Sequence, residues 1–248
     1  MHSSQLHYER LLAEHYTWMA GGFGEQVRRA ETFFRERDVA PRSGGEALDL
    51  GCGPGGQAAA LARLGFRVTA VDACQRLLTE LSDRAGHLPV TPLLGDMIDA
   101  ELYRRHGPFE LVVCLGDTLT HLNSQDEVRR LFESVAEVLA DDGKFMLTFR
   151  DLSDELAGVD RAIPVRLDDD RLMLTFLEYS AEHVNVHDQV LVRGEEGWQM
   201  HKSVYSKLRI STADVERLLS AAGFDAAGFD ATAGNCDDRL VQLVAAKR

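Results

Sequence analysis

Three acidic residues stand at or near the ends of three successive predicted strands. Asp49 lies within the run ALDL, Asp72 ends the run FRVTAVD, and Asp96 closes the run PVTPLLGD. The carboxyl ends of parallel strands meet at one edge of a sheet, and open parallel sheets bind their ligands in the crevice at that edge. We therefore predict a row of carboxylates beside a ligand crevice.

A glycine-rich turn after the first strand suits two different cofactors. The spacing G-x-G-x-x-G of a dinucleotide-binding fold is satisfied by Gly51, Gly53 and Gly56. A pyrophosphate would lie at the amino terminus of the next helix, where the carboxylate of Asp49 would repel it. The α-ammonium and sulfonium groups of S-adenosylmethionine would instead be attracted to that carboxylate. The charge of Asp49 favours S-adenosylmethionine over a nicotinamide dinucleotide.

Each part of that ligand has a predicted contact. An additional glycine, Gly55, extends the motif to D-x-G-x-G-x-G and lets the backbone lie against the methionine part. The two oxygens of Asp72 can accept hydrogen bonds from the two ribose hydroxyls. Asp96 can accept one from the adenine amino group, with Met97 against the ring.

These segments together resemble the motifs of class I S-adenosylmethionine-dependent methyltransferases. The matching runs are LDLGCGPG, TAVD, LLGDM and FELVVCLGDTLTHL, and the loop CLGDTLTHL is similar to that of the glycine/sarcosine N-methyltransferase-like branch of small-molecule enzymes. In that branch the residue after the loop glycine is often Asn, whereas Asp117 stands here. HYTWMAGGFGE resembles the N-terminal cap of these enzymes, whose aromatic residue, here Tyr16, reaches the methionine part. The cofactor-binding residues that we predict are Tyr16, Asp49, Gly51, Cys52, Gly53, Asp72, Ala73, Asp96, Met97 and Leu115.

The predicted catalytic residues are His121 and Asp117. Methyl transfer is an in-line displacement that chiefly requires alignment and exclusion of water. His121 follows the fourth strand and should face the transferred methyl as a base or substrate contact; otherwise it caps the start of the next helix beside Ser124. Asp117 provides a carboxylate for an ammonium substrate, or orders its own loop. Arg150 meets an acidic substrate group or pairs with acids that follow it in the sequence.

The elements that position these residues alternate between strands and helices, which predicts an α/β fold with a parallel, doubly wound, Rossmann-like sheet. The resemblance implies seven strands in the order 3-2-1-4-5-7-6, the last strand antiparallel. Residues 1–42 are predicted as an N-terminal helical cap and residues 43–248 as the methyltransferase domain. Three runs between residues 165 and 208 read as antiparallel strands, and we assign an antiparallel insertion to about 160–208.

Composition excludes several classes of protein. The 248 residues are 45% hydrophobic and carry 40 acids against 27 bases, for a net charge of -13, so nucleic acid is not an expected partner. No apolar run approaches membrane-spanning length and the amino terminus lacks a signal core, so we expect a cytoplasmic protein without membrane contact. The four cysteines, Cys52, Cys74, Cys114 and Cys236, lack metal-binding spacing, and no metal is expected.

The sequence thus predicts an enzyme that transfers a methyl group from S-adenosylmethionine to N or O of a small molecule. Two alternatives stay open: an NAD-dependent oxidoreductase, and a non-catalytic protein that binds S-adenosylmethionine. The identity of the acceptor, the choice between nitrogen and oxygen, and the oligomeric state are also open.

Overall fold

The computed structural model describes residues 3–42, 44–231 and 240–247. Cys236 and the predicted domain boundary at residue 43 lie outside these ranges. The strands are β1 (Glu46–Leu50), β2 (Arg67–Asp72), β3 (Val90–Leu94), β4 (Phe109–Cys114), β5 (Leu139–Arg150), β6 (Ala162–Leu167), β7 (Arg171–Tyr179), β8 (His183–Gly194), β9 (Gly197–Leu208), β10 (Phe224–Ala231) and β11 (Leu240–Lys247).

The helices flank and precede these strands. They are α1 (Ser3–His7), α2 (Ala13–Met19), α3 (Phe23–Arg35), α4 (Gly56–Arg63), α5 (Gln75–Ala85), α6 (Ala100–Tyr103), α7 (Gln125–Val138) and α8 (Thr212–Ala221). A π-helical turn at Tyr8–Leu12 joins α1 to α2, and short 3-10 turns occupy Arg104–His106, Leu119–His121 and Gly158–Arg161. None of the described helices is long and apolar enough to cross a membrane; the cytoplasmic location stays a prediction.

Seven strands form the large sheet in the order β3-β2-β1-β4-β5-β11-β10. Strands β1 to β5 pair in parallel, whereas β11 is antiparallel to both β5 and β10. With the strands of the large sheet counted alone, this is the order 3-2-1-4-5-7-6, so the fold prediction is confirmed.

Helices cover both faces of the large sheet. One face packs against α6, α7 and α8, and the other against α3, α4 and α5. Strand β4, FELVVC, is accordingly buried at every position, as is typical of a parallel strand between two helical layers. Strand β4 is therefore a hydrophobic run because neither of its faces meets water, whereas the edge strand β3 is half-exposed or exposed at every position.

Helix α7 begins where its capping residues predict. Ser124 Oγ accepts the backbone N–H of Glu127 at 3.2 Å, while the Glu127 carboxylate accepts the N–H of Asn123 at 2.7 Å. The reciprocal bond thus reaches one residue further back than in a standard capping box. The helix ends at Val138 and β5 follows at once.

A second sheet of four antiparallel strands has the order β6-β7-β8-β9. The sequence predicted three of these strands and missed β6. Leu11 and Leu12 of the N-terminal helical segment pack against Met173 and Val190 of this small sheet. The cap and the small sheet therefore form one packed layer, although about 160 residues separate Leu12 from Met173 in the chain.

Candidate functional site

A cavity of about 330 Å³ opens at the carboxyl ends of β1, β2 and β3. Eight of the predicted site residues line it: Tyr16, Gly51, Gly53, Asp72, Ala73, Asp96, Met97 and His121. The other four predicted residues, Asp49, Cys52, Leu115 and Asp117, do not line the cavity. Of the three acids predicted at strand ends, Asp72 and Asp96 therefore lie in the wall of the cavity, and Asp49 lies beneath it.

The cap supplies a wall that the sequence did not predict in full. Besides Tyr16, it contributes Ser4, Gln5, Tyr8 and Glu9 to the lining. Tyr8 precedes the apolar pair that packs on the small sheet, and no local pattern directs its ring toward the strand ends. Its proximity to the cavity depends on how the cap is seated.

Asp72 is held in place by the glycine turn and by its own chain. Its Oδ2 accepts the backbone N–H of Gly53 and its Oδ1 accepts that of Cys74, each at 2.8 Å. Burial raises the pKa of Asp72, and the backbone hydrogen bonds oppose that rise. Each carboxylate oxygen keeps acceptor capacity beyond its backbone bond, which suits a ligand with two adjacent hydroxyl groups.

Asp49 lies beneath the turn with only 2% of its surface exposed. Burial, followed by the neighbouring charge of Asp72, raises the pKa of Asp49 to about 7, and a backbone hydrogen bond from Ala58 lowers it. Its Oδ2 is buried and has no hydrogen-bond partner among the described residues. A buried acceptor left unpaired is uncommon in folded proteins, and a ligand cation at this turn would stabilise its charge.

Two glycines of the motif are required by packing. Gly51 has φ +72°, and a Cβ there would lie 2.2 Å from Cγ2 of Thr118, so the loop after β4 closes directly on the turn. Gly55 has φ +89°, and its Cβ would lie 2.6 Å from Cδ1 of Leu81 on α5. The prediction that Gly55 makes room for the methionine part was therefore wrong, because the close neighbour at this position is α5.

Tyr16 and Tyr8 form an aromatic wall that continues to His121. Their ring centroids are 5.9 Å apart, and the Tyr8 and His121 rings make an edge-to-face contact with centroids 5.8 Å apart. Burial, together with the charges of Asp72 and Asp49, raises the pKa of Tyr16 to about 12. The phenol therefore stays protonated near neutral pH and presents a polar but uncharged tip.

His121 sits on the short turn after β4 and lines the cavity. Its Nδ1 is buried without a hydrogen-bond partner among the described residues. Burial, and then the charge of Lys207, lower the pKa of His121 to about 3, against an opposing effect of Asp117. The imidazole is therefore neutral at physiological pH. It does not cap α7, whose start is bonded by Ser124 and Asn123 instead.

Asp117 has a different environment from the one the sequence predicted. Arg150 donates its backbone N–H to Oδ1 at 2.9 Å and its guanidinium lies 3.3 Å from Oδ2, while Lys207 forms a close ion pair with Oδ2. Burial alone would raise the pKa of Asp117, but the two cations outweigh it and lower the pKa. The prediction of a carboxylate directed at an ammonium substrate is corrected, because two cations of the chain already neutralise it. Arg150, for its part, pairs with Asp117.

Lys207 lies beside the candidate site as the partner of Asp117, and sequence reasoning missed it. It stands on β9, 90 residues from Asp117, and it is only 8% exposed. No local pattern marks it, since an alternating strand with an occasional lysine is typical of any half-exposed sheet. The fold brings this strand of the small sheet onto the loop that carries His121.

The remaining predicted residues lie in the core or in the cavity wall. Cys52 and Leu115 are buried in the core near the turn. Asp96 Oδ1 accepts the backbone N–H of Ile98 at 3.0 Å, and Met97 lies beside it in the cavity wall. Their predicted contacts with adenine stay predictions. Within the described ranges, no three His, Cys, Asp or Glu side chains cluster as a metal site.

Comparisons with known proteins agree with this geometry. Residues 47–143 match the family model described as a methyltransferase domain. The "Putative methyltransferase YqeM" of Bacillus subtilis (strain 168) is 34% identical over 100 residues, which are 40% of this chain and 40% of that protein. The chain thus aligns with about two fifths of the length of the curated relatives that it matches.

Solved structures share the architecture over nearly the whole chain. An S-adenosylmethionine-dependent methyltransferase from Clostridium acetobutylicum ATCC 824 superposes with a TM-score of 0.74 at 17% identity, covering 97% of this chain and 96% of that one. CalS10, an amino pentose methyltransferase from Micromonospora echinaspora solved with S-adenosylmethionine bound, gives a TM-score of 0.73 at 20% identity, with 95% and 96% covered. The chain therefore has the fold of these solved structures, and its residues 47–143 match the family model of a methyltransferase domain.

Proposed function

We propose that this protein is an S-adenosylmethionine-dependent methyltransferase that transfers the methyl group to an amine nitrogen of a small molecule. The observation that carries the proposal is the pair of carboxylates at the glycine turn. Asp72 faces the cavity with both oxygens held by backbone N–H groups, and the buried Asp49 beneath it keeps an unpaired oxygen. This donor set fits a ligand with a ribose and a cationic amino-acid part.

The same features count against the nicotinamide alternative. A dinucleotide fold places pyrophosphate at the turn, where two carboxylates would repel it. The large sheet also ends in the antiparallel pair β11 and β10, whereas the standard dinucleotide-binding sheet continues with a parallel sixth strand.

When bound, S-adenosylmethionine supplies an electrophilic methyl group on a positively charged sulfur. The contribution of the chain is to align the acceptor and exclude water. Tyr8 and Tyr16 of the cap close one side of the cavity, and His121 and Thr118 of the loop after β4 close another. Of these residues, Thr118 lies against Gly51 and Tyr16 against Gly53 of the glycine turn.

The ionisation of the nearby groups favours nitrogen over a hydroxyl acceptor. A hydroxyl usually needs a general base with a pKa near the working pH, but burial lowers the pKa of His121 to about 3 and Asp117 is bound to two cations. A neutral amine needs no base before attack. The neutral imidazole of His121 can accept an N–H of that amine and so orient its lone pair.

The test has two stages. In calorimetry, the purified chain is expected to bind S-adenosylhomocysteine with micromolar affinity, about -8 kcal/mol. No binding of NAD is expected. Turnover is then measured with labelled S-adenosylmethionine on matched acceptors that differ only in an amino or a hydroxyl group, starting from amino sugars because CalS10 is an amino pentose methyltransferase.

Methylation of amines and not of their hydroxyl counterparts is the expected outcome. Binding of NAD in place of S-adenosylhomocysteine would overturn the proposed activity, and turnover of the hydroxyl series alone would overturn the choice of nitrogen. Binding of S-adenosylhomocysteine without turnover of any acceptor would favour the non-catalytic alternative.

A further inference from the structure

Two buried polar side chains outside the cavity join the cap to the small sheet. His7, the last residue of α1, is 1% exposed, and Asp188, in the middle of β8, is 2% exposed. His7 Nε2 lies 3.0 Å from Asp188 Oδ2, but the two groups are not aligned for a hydrogen bond. Thr175 of β7 donates its hydroxyl to the other oxygen, Oδ1.

The contact between His7 and Asp188 forms at only one position of α1 on the small sheet. Both groups have left water, so each depends on the other for electrostatic compensation. The partners come from elements about 180 residues apart in the chain, so their contact forms only when α1 is seated on the small sheet. Apolar packing by Leu11 and Leu12 would tolerate a small displacement of the cap, but a buried charge and its partner would not.

Stacked rings connect His7 to the wall of the cavity. The His7 ring stacks on Tyr205 of β9 with centroids 4.3 Å apart and planes at 23°. Tyr205 in turn stacks on His121 at 5.4 Å and 18°. Tyr8, the residue after His7, makes an edge-to-face contact with the same His121 ring. The position of His7 therefore sets the positions of Tyr8 and Tyr205, the two rings that pack against His121.

We propose that His7 and Asp188 are positioning residues for the acceptor side of the site. Neither lines the cavity, so neither is a catalytic residue. Their contact fixes α1 on the small sheet, and through Tyr8 and Tyr205 it fixes the plane of His121. This inference rests on the proposed function, because it assigns the rings to alignment of the acceptor.

The chain offers matched variants for a test. His7→Phe keeps a ring on Tyr205 and removes only the contact with Asp188, while Asp188→Asn keeps the shape of that side chain and removes its charge. Glu14→Gln is the control, since Glu14 also joins the cap to the body, through Arg76 at 3.4 Å, but is 60% exposed on its side chain and lies outside the cavity.

We expect His7→Phe and Asp188→Asn each to lower kcat by about 10-fold, because small misplacements of reacting groups reduce rates strongly. The KM for the acceptor should change less. S-adenosylhomocysteine should dissociate about 10-fold faster in stopped-flow measurements, because the cap over it is less firmly held. The double variant should resemble either single variant, as expected for two residues that act as one unit, and Glu14→Gln should match the wild type.

The proposal would be overturned if His7→Phe had the kcat and the dissociation rate of the wild type. It would also be overturned if the effects of the two single substitutions simply added in the double variant. Hydrogen exchange of the unmodified protein gives a second test that needs no variant: residues 4–12 should gain protection with S-adenosylhomocysteine, and no gain would also overturn it. Failure of the wild type to bind S-adenosylhomocysteine would refute the proposed function itself, whereas normal binding with unaffected variants would refute only the positioning role.

Discussion

Replacement of Asp49 by Asn tests whether a buried carboxylate beneath the glycine turn attracts the ligand. The pKa of Asp49 lies at about 7 in the folded chain, because of burial and the charge of Asp72. Without ligand, Asp49 is therefore about 90% ionised at pH 8 and about 10% ionised at pH 6. A cationic ligand binds best to the ionised form, so its apparent affinity should fall by about 10-fold, or about 1.4 kcal/mol, between pH 8 and pH 6.

The assay is calorimetric titration of S-adenosylmethionine into wild type and Asp49→Asn at both pH values. The variant cannot ionise at this position, so it is expected to bind at pH 8 no more tightly than the wild type binds at pH 6, and to show little further change with pH. Asp72 also titrates in this cavity, and the comparison of the two proteins separates its contribution. An affinity in the wild type that does not change with pH, or an equal pH dependence in the variant, would refute the role of Asp49.

The same substitution has an opposite effect on the ligand-free protein. Because the pKa of Asp49 is raised from 3.8 to about 7, the folded chain holds a proton that the unfolded chain releases, and stability falls as pH rises between about 4 and about 7. At about 1.4 kcal/mol for each pH unit, the loss reaches about 4 kcal/mol at pH 8. Urea unfolding should therefore show Asp49→Asn to be more stable than the wild type at pH 8 but not at pH 4.

Three further substitutions separate the parts of the site. Asp72→Ala removes both acceptors for the ribose and should weaken S-adenosylhomocysteine binding by about 2 to 4 kcal/mol in calorimetry, with the fold retained. His121→Ala should leave that affinity nearly unchanged and lower kcat by at least about 10-fold. Because the pKa of this imidazole is about 3, the pH profiles of kcat for the wild type and the variant should have the same shape near pH 6.5. Gly55→Ala, at φ +89° against Leu81, should cost about 1 to 3 kcal/mol of stability in urea unfolding, while the folded variant still binds S-adenosylhomocysteine.

Each of these expectations has a contrary result. Unchanged affinity in Asp72→Ala would remove that residue from the ligand site. Joint loss of binding and turnover in His121→Ala would show that the ring supports the fold of the cavity and does not act on the acceptor. A Gly55→Ala variant of normal stability that no longer binds ligand would restore the interpretation that Gly55 faces the ligand.

The sequence alone determined the large sheet and the edge of it at which the cavity opens. Hydrophobic runs mark strands buried on both faces, and the chain direction places Asp49, Asp72 and Asp96 at the same edge. These are local properties, since they depend on residues within one strand and the turn after it. The antiparallel strands β7, β8 and β9 were also found from their alternation, whereas β6, with its proline at position 164, was not.

Only the tertiary structure decided which groups at that edge carry a free charge. Asp117 was predicted as a carboxylate for the substrate, yet Lys207, from a strand 90 residues away, neutralises it together with Arg150. The pKa of His121 likewise depends on burial beneath Tyr8 and Tyr205, which come from opposite ends of the chain. Charge and ionisation are set by whatever lies within a few ångströms in space, and residues distant in sequence supply those neighbours only after the sheets and the cap have packed.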